Sequence, residues 1–244
     1  MIGQAKFWIL NEGNSSMRQK ITFLLLCLAL VFIIQLIFSP IFQWIKTIHE
    51  VKYTTIPVKI SVYFRMVQVI VISPLIEEAA FRLPLKFSIR NLNVSVISIS
   101  VLFFMRYEML NSFLFKGDSF NIRLLLLISV SMIAIISIRS SLVSLSLSKI
   151  WKNNFWLIFS ISGIAFSLIH LRRFEITSVE YYYVGVIILF YYFLMGILFS
   201  FIRLRLGIMA SFGFHSLYNS TVYWYVLYFC LWSVLSPTIT FFMG

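Results

Sequence analysis

The chain has 244 residues, 61% of them hydrophobic and 11% charged, and its 20 Lys/Arg against 8 Asp/Glu give a formal charge of +12. With a mean hydropathy of +0.96, this composition excludes a soluble globule. The basic residues fall almost entirely between the apolar runs, where they meet anionic headgroups and help set topology, so no nucleic-acid partner is implied.

The first twenty residues carry Lys6, Glu12, Arg18 and Lys20 and lead into an apolar run with no small-residue cleavage site, which reads as an uncleaved first span. About twenty apolar residues make one crossing. On that measure the hydropathy gives spans near 21–38, 58–81, 93–107, 122–138, 155–171 and 180–202. A charge-free stretch of 39 residues, Leu206 to Gly244, follows and is too long for one ordinary span. Its polar patch, Ser216 to Thr221, marks either a break or a functional surface on a helix that continues. The expected fold is all-α: a polytopic integral membrane protein, a bundle of about eight transmembrane helices, with seven as the alternative. The connections 39–57 and 108–121 are too short to fold alone, and no repeat or linker interrupts the chain. Residues 1–244 are therefore read as a single membrane domain.

In the eight-helix arrangement eleven Lys/Arg lie on the N-terminal side: Lys6, Arg18, Lys20, Arg82, Lys86, Arg90, Arg139, Lys149, Lys152, Arg203 and Arg205. Eight lie opposite: Lys46, Lys52, Lys59, Arg106, Lys116, Arg123, Arg172 and Arg173, while Arg65 falls inside the second span. The bias favours a cytoplasmic N-terminus. Cys27 and Cys230 both sit in apolar runs without metal-ligand spacing and read as inert buried thiols.

Ionisable groups within spans are expensive, so each is a functional candidate. The segment Ser73-Pro-Leu-Ile-Glu-Glu-Ala-Ala-Phe-Arg82 places two adjacent carboxylates at the end of, or within, the second span. On a helix Glu78 and Arg82 are one turn apart in the order that favours an ion pair, and Glu77 points about 100° away from Glu78, outside that pair. A carboxylate in a low-dielectric, partly wet cavity can take a proton from water near neutral pH, as a general base must. A charged helix end at the headgroup boundary is the plainer alternative.

Next come Phe166-Ser-Leu-Ile-His170 and Arg205-Leu-Gly-Ile-Met-Ala-Ser-Phe-Gly-Phe-His-Ser-Leu-Tyr-Asn219. His170 is either interfacial or catalytic. His215 and Asn219 share a helix face at i, i+4 and can both donate hydrogen bonds, to a reacting group or in an interhelical clamp. The remaining histidine, His49, lies beside Glu50 in the first connection and reads as solvated.

In this order, Glu-Glu-x-x-x-Arg, Phe-x-x-x-His and His-x-x-x-Asn, the three clusters resemble the CPBP family of CAAX-protease and bacteriocin-processing intramembrane proteins, which includes type II prenyl-protein endopeptidases. The resemblance covers roughly residues 60–90 and 155–220. It implies a catalytic core at 58–90 and 155–220 with a two-helix insertion at about 91–150. Family members commonly carry the second motif on the span right after the first. Here two additional spans separate Arg82 from Phe166, and an even number preserves the sidedness of the motif helices.

Carried over residue by residue, the resemblance implies that Glu77 acts as general base on water, which His170 orients. Glu78 and Arg82 would shape the site, and His215 and Asn219 would donate to the oxyanion of the tetrahedral intermediate, each worth ~3 kcal/mol in a dry, preorganised site. Glu77, His170 and His215 could also hold zinc with a position open for water. Against a metal, no His-Glu-x-x-His helix is present and no second-shell carboxylate is evident for either histidine.

The implied function is an intramembrane endopeptidase acting on a membrane-presented peptide or protein, prenylated or of bacteriocin type, with its site toward the cytoplasmic half. Its partners would be that substrate and the lipid bilayer, and its abundance of Ile, Phe, Ser and Lys is compatible with a bacterial cell membrane. The alternative is a non-enzymatic membrane immunity or scaffold protein of the same fold. A proton-coupled transporter is the third reading, and it lacks the expected internal symmetry.

Overall fold

A stripe of apolar residues repeating near every seventh position, Cys27, Val31, Phe38 and Ile45, is buried along one face of the first helix, α1 (Met17–His49). The computed structural model describes residues 16–49, 62–105, 120–171 and 182–221. Lys6, Glu12, Lys52, Lys59, Arg106, Lys116, Arg172, Arg173, Cys230 and the stretch 222–244 lie outside the described residues. At 33 residues, α1 is ~50 Å long, longer than the hydrocarbon layer. It runs on through Pro40, where the sequence reading expected a connection from residue 39. The reason is packing: Ile41, Phe42 and Ile45 extend the stripe onto Val184 and Ile188, and this offsets the hydrogen bond lost at proline.

The second helix, α2, runs from Val62 to Phe81 and contains a π-helical turn, Gln68–Ile72, in which the Ser73 N–H donates to the Gln68 carbonyl. In that five-residue register the next donor would be residue 74 and its acceptor Val69. Position 74 is proline and has no N–H, so the turn leaves one carbonyl for a donor from elsewhere. A 3₁₀ turn, Leu83–Leu85, then reverses the chain into α3 (Ile89–Met105). The last carbonyls of α2 are satisfied by neighbours. Ser95 Oγ on α3 donates to Ala80 O, and Ser162 Oγ donates to Phe81 O, both at 2.6 Å.

The chain continues through α4 (Phe120–Arg139) and α5 (Ser141–Asn153), which meet at an 85° bend. The sequence reading took 139–154 as a connection. The 13 residues of α5 include four serines, two lysines and an asparagine, too polar for a span alone and too short to stand out. α6 (Phe155–Leu171) packs lengthwise against α7 (Tyr182–Leu206). Gly163 and Gly196 allow that approach: a Cβ on Gly196 would lie 3.1 Å from the Phe166 ring and 3.4 Å from the Gly163 backbone. Gly207, with φ of 94°, ends α7, and α8 follows over 208–221. The patch Ser216 to Thr221 thus lies on uninterrupted helix.

Among the described residues the fold is all-α, an integral membrane bundle of eight helices when α2 is counted once. α1 and α7 are long and apolar enough to cross a bilayer unaided, and the bent α4–α5 pair passes the same test together. The other expected spans fall short because α3 and α6 are shorter and α2 carries Arg65, Glu77 and Glu78.

Candidate active site

Pro74 opens the last segment of α2 and sets the carboxylates that follow one turn below the π-helical turn. Both are buried, Glu77 and Glu78 each 1% exposed, and the 100° offset on α2 sets them on opposite edges of the His215 ring. Ser73, one turn earlier, donates from Oγ to Glu77 Oε1 at 2.8 Å. That bond fixes the carboxyl plane, and Glu77 Oε2 then lies 3.7 Å from His170 Nε2 and 3.7 Å from His215 Nε2.

Each ring is oriented from behind. His170 Nδ1 is 2.9 Å from Phe166 O, and His215 Nδ1 is 2.9 Å from Glu78 Oε1. A carbonyl and a carboxylate only accept, so each Nδ1 carries a proton and each Nε2 faces Glu77. Aromatic rings hold the planes: Tyr192 lies 4.2 Å from His170 at 31°, and Phe199 stacks on His215 at 4.4 Å and 24°. The second stack follows from chain geometry. Phe199 and His215 are eight residues before and after Gly207, so each sits ~12 Å from the turn on antiparallel helices.

Glu78 is the hub of the outer layer. Its Oε2 accepts from Ser211 Oγ at 2.5 Å, and its Oε1 lies 3.7 Å from Arg82 Nε. Arg82 is fully buried, with its guanidinium 4.0 Å from the centre of the Phe166 ring. The expected Glu78–Arg82 pair is therefore present and is reinforced by a cation–π contact. Asn219 reaches elsewhere: its Nδ2 donates at 2.9 Å to Val69 O, the carbonyl that Pro74 leaves to another donor. The structure thus brings Glu77, Glu78, Arg82, His170 and His215 together and joins Asn219 to the π-helical turn behind Glu77.

The site draws on α2, α6, α7 and α8, all between residues 62 and 221. The sequence profile of the type II CAAX prenyl endopeptidase Rce1-like family matches residues 59–221. The chain belongs to that family. No curated protein and no solved structure matches it individually. Membership of the Rce1-like family places this chain among membrane proteases, whose substrates are peptides or proteins presented in the membrane. The profile spans the whole cluster and also the intervening helices α3, α4 and α5.

Reading the sequence alone overlooked four contributors in this Rce1-like site. Ser73 and Ser211 each stand four residues before a site residue, Glu77 and His215, and a serine one turn before a buried acid or histidine is the signal that was available. Phe166 stood in the motif only as a marker, yet it supports both Arg82 and His170. Tyr192 carries no local signal because only the α6–α7 crossing brings it to His170. No carboxylate behind either histidine is evident in the sequence, yet the fold supplies one: Glu78 backs His215, reached across 137 residues.

Proposed function

We propose that the chain is an intramembrane endopeptidase in which Glu77 activates water. The observation that carries this reading is the 3.7 Å separation of Glu77 Oε2 from both histidine Nε2 atoms, inside a shell where His170 and His215 are 3% and 2% exposed. That distance exceeds a direct hydrogen bond and suits groups that share one water. The water gives one hydrogen to Glu77 and directs the other to His170 Nε2, leaving a lone pair for the substrate carbonyl carbon. Attack forms the tetrahedral oxyanion. Glu77 then returns the proton to the amide nitrogen as the C–N bond breaks, releasing a carboxylate and an amine.

His215 is the proposed oxyanion donor. With Nδ1–H held by Glu78, it donates from Nε2 in the form of the ring that carries both protons. Asn219 keeps a second amide hydrogen beyond its bond to Val69 O and is the proposed second donor. Glu78 and Arg82 position these groups. The proposed substrate is a prenylated or bacteriocin-type peptide in a bacterial cell membrane, and the proposed N-terminal side is cytoplasmic. Residues 1–244 act as one membrane domain, with the catalytic core at 58–90 and 155–220.

Zinc is the second reading of the same three residues. Outer hydrogen bonds to Phe166 O and Glu78 fix both rings as metal-binding histidines are fixed. Bound there, zinc would supply a more acidic water and polarise the scissile carbonyl. The donor types fit, but the spacing does not, since among the described residues no three His, Cys, Asp or Glu donors converge closely enough to hold an ion.

The test maps peptide termini in membranes of cells expressing the wild type or Glu77→Gln at matched levels. New termini that vanish in the variant support the protease and name its substrate. Identical termini would move the assignment to a non-enzymatic immunity or scaffold protein. Elemental analysis of the purified chain separates the two mechanisms: about one zinc per chain, lost in His215→Ala, would replace the metal-free reading.

A further inference from the structure

At the end of the bundle where α2 finishes, the chain does something that neither the site nor the crossing helices require. After α4 it turns through 85° at Ser140, whose ψ of 132° breaks the helix, and α5 runs across the bundle end. Its inner edge is pinned. Trp151 Nε1 donates to Pro84 O at 2.6 Å, and the Trp151 ring lies 5.5 Å from Phe87, so α5 is fastened to the turn that follows α2. The outer face is unlike that edge. Leu142, Leu145, Lys149 and Lys152 follow one another at spacings of three, four and three, which places them in one line on a helix. Leu142 is 77% exposed and Leu145 71%, and both lysines are exposed as well.

Among the described residues the charge at this end has one sign. Residues 79–105 and 120–171 contain no Asp or Glu. Lys86 and Arg90 follow the 3₁₀ turn and Arg139 ends α4, so α5 is flanked by further cations. With α4 packed against α3 and entering the bilayer beside it, the 85° bend turns α5 toward the plane of the membrane. A line of leucines leading into lysines then fits the boundary between acyl chains and headgroups, with the lysine stems extending toward phosphate.

We propose that α5 is an in-plane helix that binds anionic phospholipid headgroups through Lys149 and Lys152, with Leu142 and Leu145 set into the acyl boundary. Charge complementarity selects the occupant: an all-basic surface beside a bilayer attracts phosphatidylglycerol-type lipids over zwitterionic ones. This inference is independent of the protease chemistry.

The experiment uses the full chain in phosphatidylcholine nanodiscs titrated with phosphatidylglycerol, with bound lipid counted by native mass spectrometry. Wild type is expected to retain phosphatidylglycerol in preference to phosphatidylcholine. Lys149→Gln/Lys152→Gln is expected to weaken that retention by about 30-fold, from roughly fivefold per lysine. Lys149→Arg/Lys152→Arg is expected to keep it, which separates lost charge from a damaged fold. No preference in the wild type, an undiminished preference in the glutamine variant, or its loss in the arginine variant would each overturn the proposal. So would equal competition by soluble glycerol phosphate, which would point to a site for the free anion.

Discussion

The carboxyl group of Glu77 is held by a hydroxyl one turn away, and that makes Ser73 the sharpest probe of the site. Ser73→Ala removes the bond to Oε1 while leaving Glu77 buried. Substrate cleavage, measured as kcat/KM on a peptide released by the wild type, is expected to fall 10-fold or more, the size typical of losing a hydrogen bond that orients a reactive group. Ser73→Thr should restore most of it. Arg82 tests a different cost. Arg82→Leu leaves Glu78 buried without its cation, and unfolding should show a loss of ~3 kcal/mol or more, whereas Arg82→Lys should lose less. The six candidate residues were legible in the sequence because charge and histidine stand out against apolar spans. Asn219 shows the limit of that legibility. Its side chain answers the backbone of α2, 150 residues away, and no pattern local to α8 reveals a carbonyl that Pro74 leaves to another donor.

At the scale of helices, two glycines set how closely the site is assembled. A side chain on Gly196 would strike Phe166, the ring that supports both Arg82 and His170. Gly196→Val is expected to destabilise the bundle by ~1–3 kcal/mol in thermal unfolding and to lower cleavage further than that loss explains. Gly213→Ala, where a Cβ meets nothing within 4 Å, is the silent control. Gly207 adopts a conformation closed to branched side chains, so Gly207→Val should lose ~1–3 kcal/mol and Gly207→Asn less. Hydropathy located α3, α4, α6 and α7 to within a few residues because each is a long apolar run. It missed the continuation of α1 past Pro40 and all of α5, where the deciding contacts are tertiary: Ile45 on Val184 and Ile188, and Trp151 on Pro84 and Phe87.

Across the whole molecule, most of the basic residues among those described lie toward one end. Arg205 lies 4.8 Å over the Phe23 ring, joining the end of α7 to the start of α1, and Leu85, Phe155 and Leu204 cluster beside them. Arg18, Lys20, Lys86, Arg90, Arg139, Lys149, Lys152 and Arg203 belong to the same end, which predicts that it faces the cytoplasm. A membrane-impermeant thiol reagent should therefore label Asn153→Cys in inverted vesicles and leave it unlabelled in intact cells. The all-α membrane character was legible from composition because lipid permits few alternatives. The course of α4 and α5 was not, since neither hydropathy nor motif order encodes the 85° bend.

The wide spacing of the cluster along the chain bears on timing during synthesis. Glu77 and His170 are made early, but Ser211, His215 and Asn219 all follow Gly207. A nascent chain that has delivered its first seven helices to the membrane holds the carboxylate and one histidine but not the other. On the proposed mechanism the hydrolytic centre is completed only when α8 folds back along α7, so a growing chain gains the power to cleave only after His215 and Asn219 have been made.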